Sequence, residues 1–292
     1  MNISKYRAVL TVVELGSITH AADVLGYTQS GLSYIVKSME EELGVPLFSR
    51  GKNGLTLTPA GAQLLGPLRA ISAEEDRLRQ QAEGIRGLVT GTLRLGTFCS
   101  VTANWLPEIL RRFSTDHPGV SFDLVDDDYE SLERMVADGQ LTCAFLPKPN
   151  SPALRFLPLV QDRYRAVLPL GHPAQDAEVY RLEDLPSEDF ILPREGLRYD
   201  LGRILRQAQV RPNVRVRAMD SFGAMSLVRA GLGMTILTEA CLQTHDQHAF
   251  RVLPLDRDCV RSLGIATKTD EQPGRVLTVF LSYVRAWAGL DP

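Results

Sequence analysis

Apolar residues near the start of the chain recur at helical spacing in two short stretches, with Gly26 between them. The second stretch follows Thr28, a residue that can cap a helix, and its apolar residues would share one face of that helix: Leu32, Ile35, Val36 and Met39. The opposite face would then carry Gln29, Ser30, Ser33, Tyr34 and Lys37. This pattern predicts two helices joined by a tight turn, with an exposed polar face on the second helix.

The polar face of the second predicted helix has side chains of the types that read DNA. Gln can bind an adenine edge through two hydrogen bonds, and Ser and Lys can reach bases or phosphates. The free N–H groups at a helix N-terminus suit a phosphate, and Gly16-Ser17-Ile18-Thr19 offers a turn and a hydroxyl cap for the first helix. The arrangement matches helix-turn-helix docking in a major groove. The alternative is that the hydroxyls only cap helices in a small helical domain and that the polar face is simply solvated.

A short basic segment follows the second predicted helix. Asn53-Gly54 is a strong signal for a two-residue hairpin turn. The hairpin would carry Arg50 and Lys52 beside the second helix, where they could contact the DNA backbone or the minor groove. The candidate DNA-contact residues are therefore Thr19, Gln29, Ser30, Ser33, Tyr34, Lys37, Arg50 and Lys52.

Residues 1–61 resemble the winged helix-turn-helix of LysR-type transcriptional regulators. Many ordered positions carry the resemblance: Gly16-Ser17, Thr19, Ala21-Ala22, Leu25, Gln29-Ser30, Leu32-Ser33, Lys37, Glu40, Leu43-Gly44, Leu47-Phe48, Arg50, Leu57-Thr58 and Ala60-Gly61. The chain departs at Tyr34, because members of that family usually carry Arg directly after the Ser of the recognition helix. The resemblance implies a sequence-specific transcriptional regulator that binds double-stranded DNA.

A long helix is predicted after Pro59, because apolar residues follow a 4–3 repeat typical of a coiled-coil seam: Leu64, Leu68, Ile71, Leu78, Ala82 and Ile85. Pro67 should bend this helix or restart it after Gly66. Polar residues on both flanks favour pairing with another chain, although the helix could instead lie against its own domain. The resemblance implies a linker helix through which a homodimer, or a homotetramer, forms and reads an inverted repeat.

From Gly91 onward, short apolar runs alternate with helical patterns, which predicts an α/β region with two lobes. This region resembles the effector-binding part of the same family, which is similar to type 2 periplasmic binding proteins and holds a small-molecule effector between its lobes. The predicted division is a DNA-binding domain at 1–58, a linker helix at 59–88 and an effector domain at 91–292, with lobe 1 at 91–162 and 267–292 and lobe 2 at 163–266.

The effector site is predicted at the carboxyl ends of strands, where helix N-termini offer N–H donors. The candidates are Thr97, Ser100, Val101, Thr102, Lys148, Arg194, Ser221 and Phe222. The hydroxyls of the first loop could hold a carboxylate or could simply cap the next helix. Three acids at 126–128 share this rim and disfavour a multiply charged anion unless Lys148 or Arg194 neutralises them. We expect a small organic acid, with aromatic character suggested by Phe98, Tyr199 and Phe222.

Composition and charge limit the other function classes. The chain has 292 residues, of which 44% are hydrophobic, enough for two or three cores. Residues 1–60 hold five Lys or Arg and five Asp or Glu, so we expect modest non-specific DNA affinity with a shallow salt dependence. The first residues lack the build of a signal peptide, and no apolar run approaches the ~20 residues that span a membrane. We therefore expect a cytoplasmic protein without membrane contact.

The cysteines and the missing motifs predict neither a metal site nor catalysis. The four cysteines (Cys99, Cys143, Cys241, Cys259) form no C-x-x-C pair and have no His at metal-ligand spacing. They are expected to be small buried hydrophobes, with a redox switch as the alternative. The sequence contains no nucleophile elbow, P-loop, zinc-protease or dinucleotide motif, so no cofactor and no catalytic residue are predicted. The competing hypothesis is a cytosolic α/β enzyme with an accessory DNA-binding domain.

Overall fold

The N-terminal region is a three-helix unit with a two-stranded hairpin. The computed structural model describes residues 5–51, 54–85, 89–193, 199–243, 247–269 and 273–290. The first elements are α1 (Lys5–Leu15), α2 (Ile18–Leu25), α3 (Gln29–Leu43), β1 (Phe48–Gly51), β2 (Gly54–Leu57) and α4 (Pro59–Ile85). The strands β1 and β2 pair antiparallel. These strands form the predicted hairpin, whose turn residues 52 and 53 lie outside the described residues.

Local capping sets the limits of α2 and α3. The Ser17 hydroxyl accepts a hydrogen bond from the N–H of His20, and the Thr28 hydroxyl accepts one from the N–H of Gly31. Gly26 ends α2 in the left-handed region at φ 70°, which only glycine adopts without a steric cost. The apolar faces then meet in one core formed by Ala8, Val9, Val12, Ala21, Ala22, Leu32, Val36, Met39, Leu47 and Leu68.

Two contacts fix the start of the hairpin to α3 and α4 to the loop before β1. The carboxylate of Glu40, near the end of α3, accepts hydrogen bonds from the backbone N–H groups of Leu47 (2.7 Å) and Phe48 (3.0 Å). Gly61 lies so close to the Leu47 carbonyl that a Cβ on residue 61 would be 2.3 Å from that oxygen. Glycine is therefore required where α4 crosses the loop before β1.

The linker helix differs from its prediction in two respects. It is one helix through Pro67, so of the two predicted effects, a bend or a restart after Gly66, the restart is wrong. The loss of one backbone donor does not end a helix whose other bonds remain. Leu68 is buried in the N-terminal core, with Leu64 packed against it. Ile71 and Leu78, farther along the seam, are 45% and 65% exposed. The helix thus packs first against its own domain and then presents apolar side chains to solvent.

The C-terminal region is α/β, as predicted. Its helices are α5 (Cys99–Asn104), α6 (Leu106–Asp116), α7 (Tyr129–Ala137), α8 (Asp200–Gln207), α9 (Ser221–Arg229), α10 (Glu239–Leu242) and α11 (Arg275–Trp287). Its strands are β3 (Gly91–Thr97), β4 (Val120–Asp126), β5 (Cys143–Pro147), β6 (Leu154–Leu168), β7 (Asp189–Leu192), β8 (Asn213–Arg217), β9 (Thr235–Thr238), β10 (Arg251–Pro254) and β11 (Val260–Lys268).

Two long strands connect the lobes. The main sheet has the order β10-β6-β11-β5-β3-β4, with β9 also paired to β6, while β7 and β8 form a separate parallel pair. The first half of β6 pairs with β11 in the first lobe, and its second half pairs with β9 and β10 in the second lobe. Leu263 and Ile265 of β11 already belong to the first-lobe core, a few residues before the return at 267 that the sequence suggested. The strands β6 and β11 therefore form the floor of the cleft between two cores.

Candidate functional site

The polar face of α3 is open to solvent. Gln29, Ser30 and Lys37 are exposed, Ser33 is half-buried, and Tyr34 is 75% exposed. These side chains project from a helix whose other face is held by the N-terminal core. The face therefore combines a rigid support with polar side chains that are open to solvent, which is what insertion into a DNA groove requires.

The remaining predicted DNA-contact residues surround this face. Thr19 is exposed on the first turn of α2. Arg50 lies on β1, with its backbone opposite Leu55 of β2, and Lys52 lies outside the described residues. The acids at the end of α3 are engaged by lysines: Lys37 contacts Glu41 at 3.5 Å, and Lys5 contacts Glu42 at 3.0 Å. These exposed pairs keep local negative charge away from the N-terminal turns of α3 at small energetic gain.

The loop after β3 leads into the cleft. The hydroxyls of Thr97 and Thr102 are hydrogen-bonded to each other at 2.9 Å. Neither caps α5, because the N-cap residue is Phe98 and no side chain bonds there. The Ser100 hydroxyl is buried and has no hydrogen-bond partner within the described part of the chain. The capping interpretation of these hydroxyls is therefore wrong for α5.

Val101, one of the predicted effector residues, lies in the protein interior. Its side chain is fully buried in the first-lobe core, and its N–H donates to the carbonyl of Phe98 at 3.0 Å. Its side chain therefore packs in the core, and its N–H already has a hydrogen-bond acceptor within the protein. The periodicity of a short helical turn places one residue in four toward the core, and here that residue is Val101.

The other predicted effector residues are dispersed. Lys148 is exposed just after β5, and Arg194 lies outside the described residues. Ser221 is buried at the start of α9, and its side chain lies close enough to Cys99 of the first lobe to lower the pKa of that thiol. Phe222 is partly exposed beside it. The structure therefore brings Ser221 to the loop after β3 and leaves Lys148 at the surface.

A buried ion pair that sequence reasoning missed occupies the cleft floor. Asp162 of β6 accepts two hydrogen bonds from the guanidinium of Arg261 on β11, at 3.0 and 2.9 Å. Arg261 also donates to the Tyr129 and Thr238 hydroxyls, each at 3.0 Å. Burial disfavours the charged guanidinium, yet Tyr129, Tyr164 and Asp162 hold the pKa of Arg261 above its ordinary value. The cation is thus kept charged by partners from both lobes.

Aromatic rings enclose this ion pair. The guanidinium lies 5.6 Å from the ring centre of Phe98 and 5.9 Å from that of Tyr164. Tyr129 of the first lobe meets Tyr199 of the second, with ring centroids 4.7 Å apart. The adjoining cavity is lined by Tyr129, Tyr164, Tyr199, Thr238 and Arg261 among others, and its volume of about 30 Å³ holds only one or two water molecules. The lobes are therefore closed on each other.

Asn104 adds a further polar link across the cleft. Its amide donates to the carbonyl of Ser100 in its own helix at 2.8 Å and to the carbonyl of Ala240 in the second lobe at 2.7 Å. The neighbouring N–H of Ala240 donates to Asp162 at 3.0 Å. One short segment of α10 is thus held by both lobes, and a change in the lobe angle must break or stretch these bonds.

The four cysteines are free thiols. Burial raises the pKa of Cys143 and of Cys259, and it also raises the pKa of Cys99 against the smaller opposite effect of the hydrogen bond with Ser221. A raised thiol pKa lowers the thiolate fraction and therefore the reactivity. Within the described residues no cluster of three or more His, Cys, Asp or Glu is placed to bind a metal ion. None of the described helices is long and apolar enough to cross a membrane.

Comparisons with known proteins identify both regions of the chain. Residues 3–62 match the model of the bacterial regulatory helix-turn-helix proteins of the lysR family, and residues 86–289 match the LysR substrate binding domain. The probable transcriptional regulator LrrA of Synechococcus elongatus is 28% identical, with 99% of this chain and 98% of that protein covered.

Full-length solved structures show the same fold. A variant of OxyR from Pseudomonas aeruginosa superposes with a TM-score of 0.76 at 20% identity, covering 98% of this chain and 95% of the other. CbnR in complex with its target DNA gives a TM-score of 0.69 at 21% identity, covering 98% and 100%. With both family models matched in order along its length, the chain belongs to the LysR family of DNA-binding transcriptional regulators with an effector-binding domain.

Proposed function

We propose that the protein acts as a homodimer, or as a homotetramer, that binds an inverted repeat in double-stranded DNA and responds to a small effector held between its lobes. The observation that carries this proposal is the exposed polar face of α3 beside the β1–β2 hairpin. The proposed units are a DNA-binding domain at 1–58, a linker helix at 59–88 and an effector domain at 91–292.

The proposed DNA contacts are made by α3 in the major groove and by the hairpin at the backbone or minor groove. Gln29 and Ser33 lie one helical turn apart and read base edges, while Thr19, Ser30, Lys37, Arg50 and Lys52 fix the register on the backbone. A double variant, Gln29→Ala with Ser33→Ala, should remain folded and dimeric but lose preference for a duplex selected from a random library. Glu42→Gln, at the far end of the same helix, serves as the control and should bind like the wild type. Equal binding by the double variant would contradict this assignment.

Dimerisation is assigned to the exposed part of the α4 seam. Ile71, Leu78 and Ala82 are exposed in the single chain, and their burial against a second α4 would remove apolar surface from water. The double variant Ile71→Glu, Leu78→Glu should be monomeric in analytical ultracentrifugation. Val24→Glu, which adds a charge at an exposed valine of α2, should leave the mass unchanged. A double variant that keeps the wild-type mass would assign dimerisation to another surface.

The effector is proposed to be a small organic acid whose carboxylate binds the loop after β3. Support comes from the buried Ser100 hydroxyl, which lacks a partner in the described chain, since such a group costs free energy until a ligand or water satisfies it. The aromatic rings of Phe98, Tyr129 and Tyr199 favour an aromatic or otherwise planar body. Because the closed cavity holds only about two water molecules, the acid must bind an opened cleft. The acid can shift the equilibrium between the closed and the opened lobes only if it binds one of these two conformations more tightly than the other.

A thermal-shift panel tests the effector class. Carboxylic acids are paired with their own primary amides, so that each pair differs mainly in charge. At least one acid should raise the melting temperature of the wild type more than its amide does, and Ser100→Ala should remove that difference. Amides that stabilise the wild type as strongly as the acids would argue against an acid.

The protein is proposed to work in the cytoplasm and to catalyse no reaction. A bacterial regulator acts where the chromosome lies, and the family match supplies that role. The carboxylate of Asp162 and the guanidinium of Arg261 at the cleft floor are hydrogen-bonded to each other. Asp162 also accepts from the Ala240 N–H, and Arg261 also donates to the Tyr129 and Thr238 hydroxyls. Neither is poised to exchange a proton with a ligand.

A further inference from the structure

Tyr34 is an aromatic side chain on the solvent side of α3. It is 75% exposed, although tyrosines usually bury most of their ring. In the described part of the chain, no hydrogen bond, ion pair or ring contact involves Tyr34. Its neighbours on the buried side, Leu32 and Val36, are fully engaged in the core. The ring therefore contributes nothing visible to folding.

The position of Tyr34 on the helix defines what it can reach. Ser30, Tyr34 and Lys37 are spaced i, i+4 and i+7, which places them along one stripe of α3. At about 1.5 Å per residue the stripe is about 10 Å long, comparable to the ~12 Å width of the major groove. Tyr34 lies at its centre, between a hydroxyl and an ammonium group. In the proposed docking, Tyr34 faces base edges together with Gln29 and Ser33, while Ser30 and Lys37 contact the phosphates.

The chemistry of the side chain selects one base feature. An arginine at this point would favour guanine O6 and N7 or a phosphate, because it offers several charged donors. A tyrosine carries no charge at neutral pH, and the main group that it offers is an apolar ring. Thymine is the base with an apolar group in the major groove, its C5-methyl.

We propose that the ring of Tyr34 packs against the C5-methyl of one thymine in each half-site, so that this residue makes the chain select a T·A pair. The inference rests on the proposed function, in which α3 enters the major groove. Gln29, about 1.4 turns earlier on the helix, suits an adenine, so both residues direct the protein to half-sites that contain A·T pairs. The absence of a guanidinium also lowers the number of phosphate charges that the protein neutralises.

The test removes the methyl and nothing else. A preferred duplex is selected from a random library with the wild-type protein, and each thymine in it is then replaced singly by deoxyuridine. One thymine per half-site should prove sensitive, with wild-type affinity falling about fourfold for the loss of one buried methyl and about fifteenfold when both half-sites are changed. Tyr34→Ala should bind the thymine and uracil duplexes equally.

Two matched variants separate the ring from the hydroxyl and from charge. Tyr34→Phe keeps the ring and should retain the methyl sensitivity. Tyr34→Arg should lose it, turn selection toward G·C at that position and steepen the salt dependence of log K by about one unit per half-site. Circular dichroism should show all three variants folded, since residue 34 is exposed.

The possible failures are distinguishable. If the wild type selects a sequence but no thymine is methyl-sensitive, or if the sensitivity survives in Tyr34→Ala, the inference is overturned while the proposed function stands. Loss of sensitivity in Tyr34→Phe would also overturn it, because the hydroxyl would then be the contact. If selection with the wild type returns no preferred sequence, the proposed function and this inference fall together.

Discussion

Replacement of Asp162 by asparagine should be among the most damaging single changes in the effector domain. The substitution keeps the shape of the side chain but removes the charge that neutralises Arg261. Asp162 accepts three hydrogen bonds, two from the Arg261 guanidinium and one from the Ala240 N–H. An asparagine must place its NH₂ group where one of the two carboxylate oxygens stood. That NH₂ group then faces either the Ala240 N–H or the Arg261 guanidinium, so that a donor meets a donor and no hydrogen bond forms there.

The size of the effect follows from burial. The side chains of Arg261 and Asp162 are only 6% and 2% exposed, so water cannot replace the lost partner. Removing one member of a buried pair destabilises a protein by about 3–5 kcal/mol. The double variant Asp162→Leu, Arg261→Met removes both charges, and it should recover most of this loss because no uncompensated cation remains.

Tryptophan fluorescence provides the measurement. The chain has two tryptophans, Trp105 and Trp287, whose rings are 4.9 Å apart in the first lobe. Urea unfolding followed by their emission therefore reports the effector domain and not the DNA-binding domain. With a denaturant slope of about 3 kcal/mol per molar urea, the midpoint of Asp162→Asn should fall by about 1–1.7 M.

The adjacent ion pair on the same strand is the control. Arg163 contacts Asp258 at 3.0 Å, but their side chains are 53% and 70% exposed. Asp258→Asn should therefore cost less than about 1 kcal/mol. Equal losses in Asp162→Asn and Asp258→Asn, or a double variant as unstable as Asp162→Asn, would refute the reasoning from burial.

Three further outcomes are expected. Gly61→Ala should destabilise the N-terminal domain by about 1–3 kcal/mol because its Cβ meets the Leu47 carbonyl, whereas Gly66→Ala, in open space on the same helix, should stabilise it by up to about 1 kcal/mol. Calorimetric shifts of the same sign would contradict this. Asp128→Ala should cost about 1 kcal/mol at neutral pH through loss of the α7 cap. The pKa of the Asp128 carboxyl is lowered, mainly by the hydrogen bond from the Ser131 N–H. The stability that this cap contributes is therefore fully present above the ordinary carboxyl pKa and is lost as the pH falls through the lowered pKa. The urea midpoints of Asp128→Ala and of the wild type should converge in acid. Alkylation followed by mass spectrometry should label Cys99 and Cys241 before the fully buried Cys143, and early labelling of Cys143 would contradict its burial.

The N-terminal region could be predicted from sequence because its determinants are local. Gly26 ends α2, and Thr28 caps α3, which begins one residue later. The apolar residues of α3 then fall at helical spacing. Each of these signals acts within a few residues. The structure confirms the capping by Thr28 and the αL position of Gly26, and it confirms the burial of Leu32, Val36 and Met39.

The surroundings of the linker helix could not be predicted from local sequence signals alone. The seam from Leu64 to Ile85 predicts one apolar stripe, but the stripe has two different environments. Leu68 is buried in the domain that precedes it, while Leu78 is exposed. Periodicity gives the direction in which a side chain points, and only the tertiary fold gives what lies there. The same holds for Pro67, whose effect depends on the bonds around it rather than on the residue alone.

The effector cleft was the hardest part to predict, because its central contacts join distant segments. Arg261 bonds Asp162 across 99 positions of the chain and Tyr129 across 132. The sequence signal was weak, because β6 carries Arg155, Asp162, Arg163 and Arg165 and β11 carries Arg261 and Lys268. A charge in a buried strand costs free energy unless it finds a partner, but the sequence does not show which of these charges is buried. Only the pairing of β6 with β11 brings Asp162 and Arg261 together and away from water.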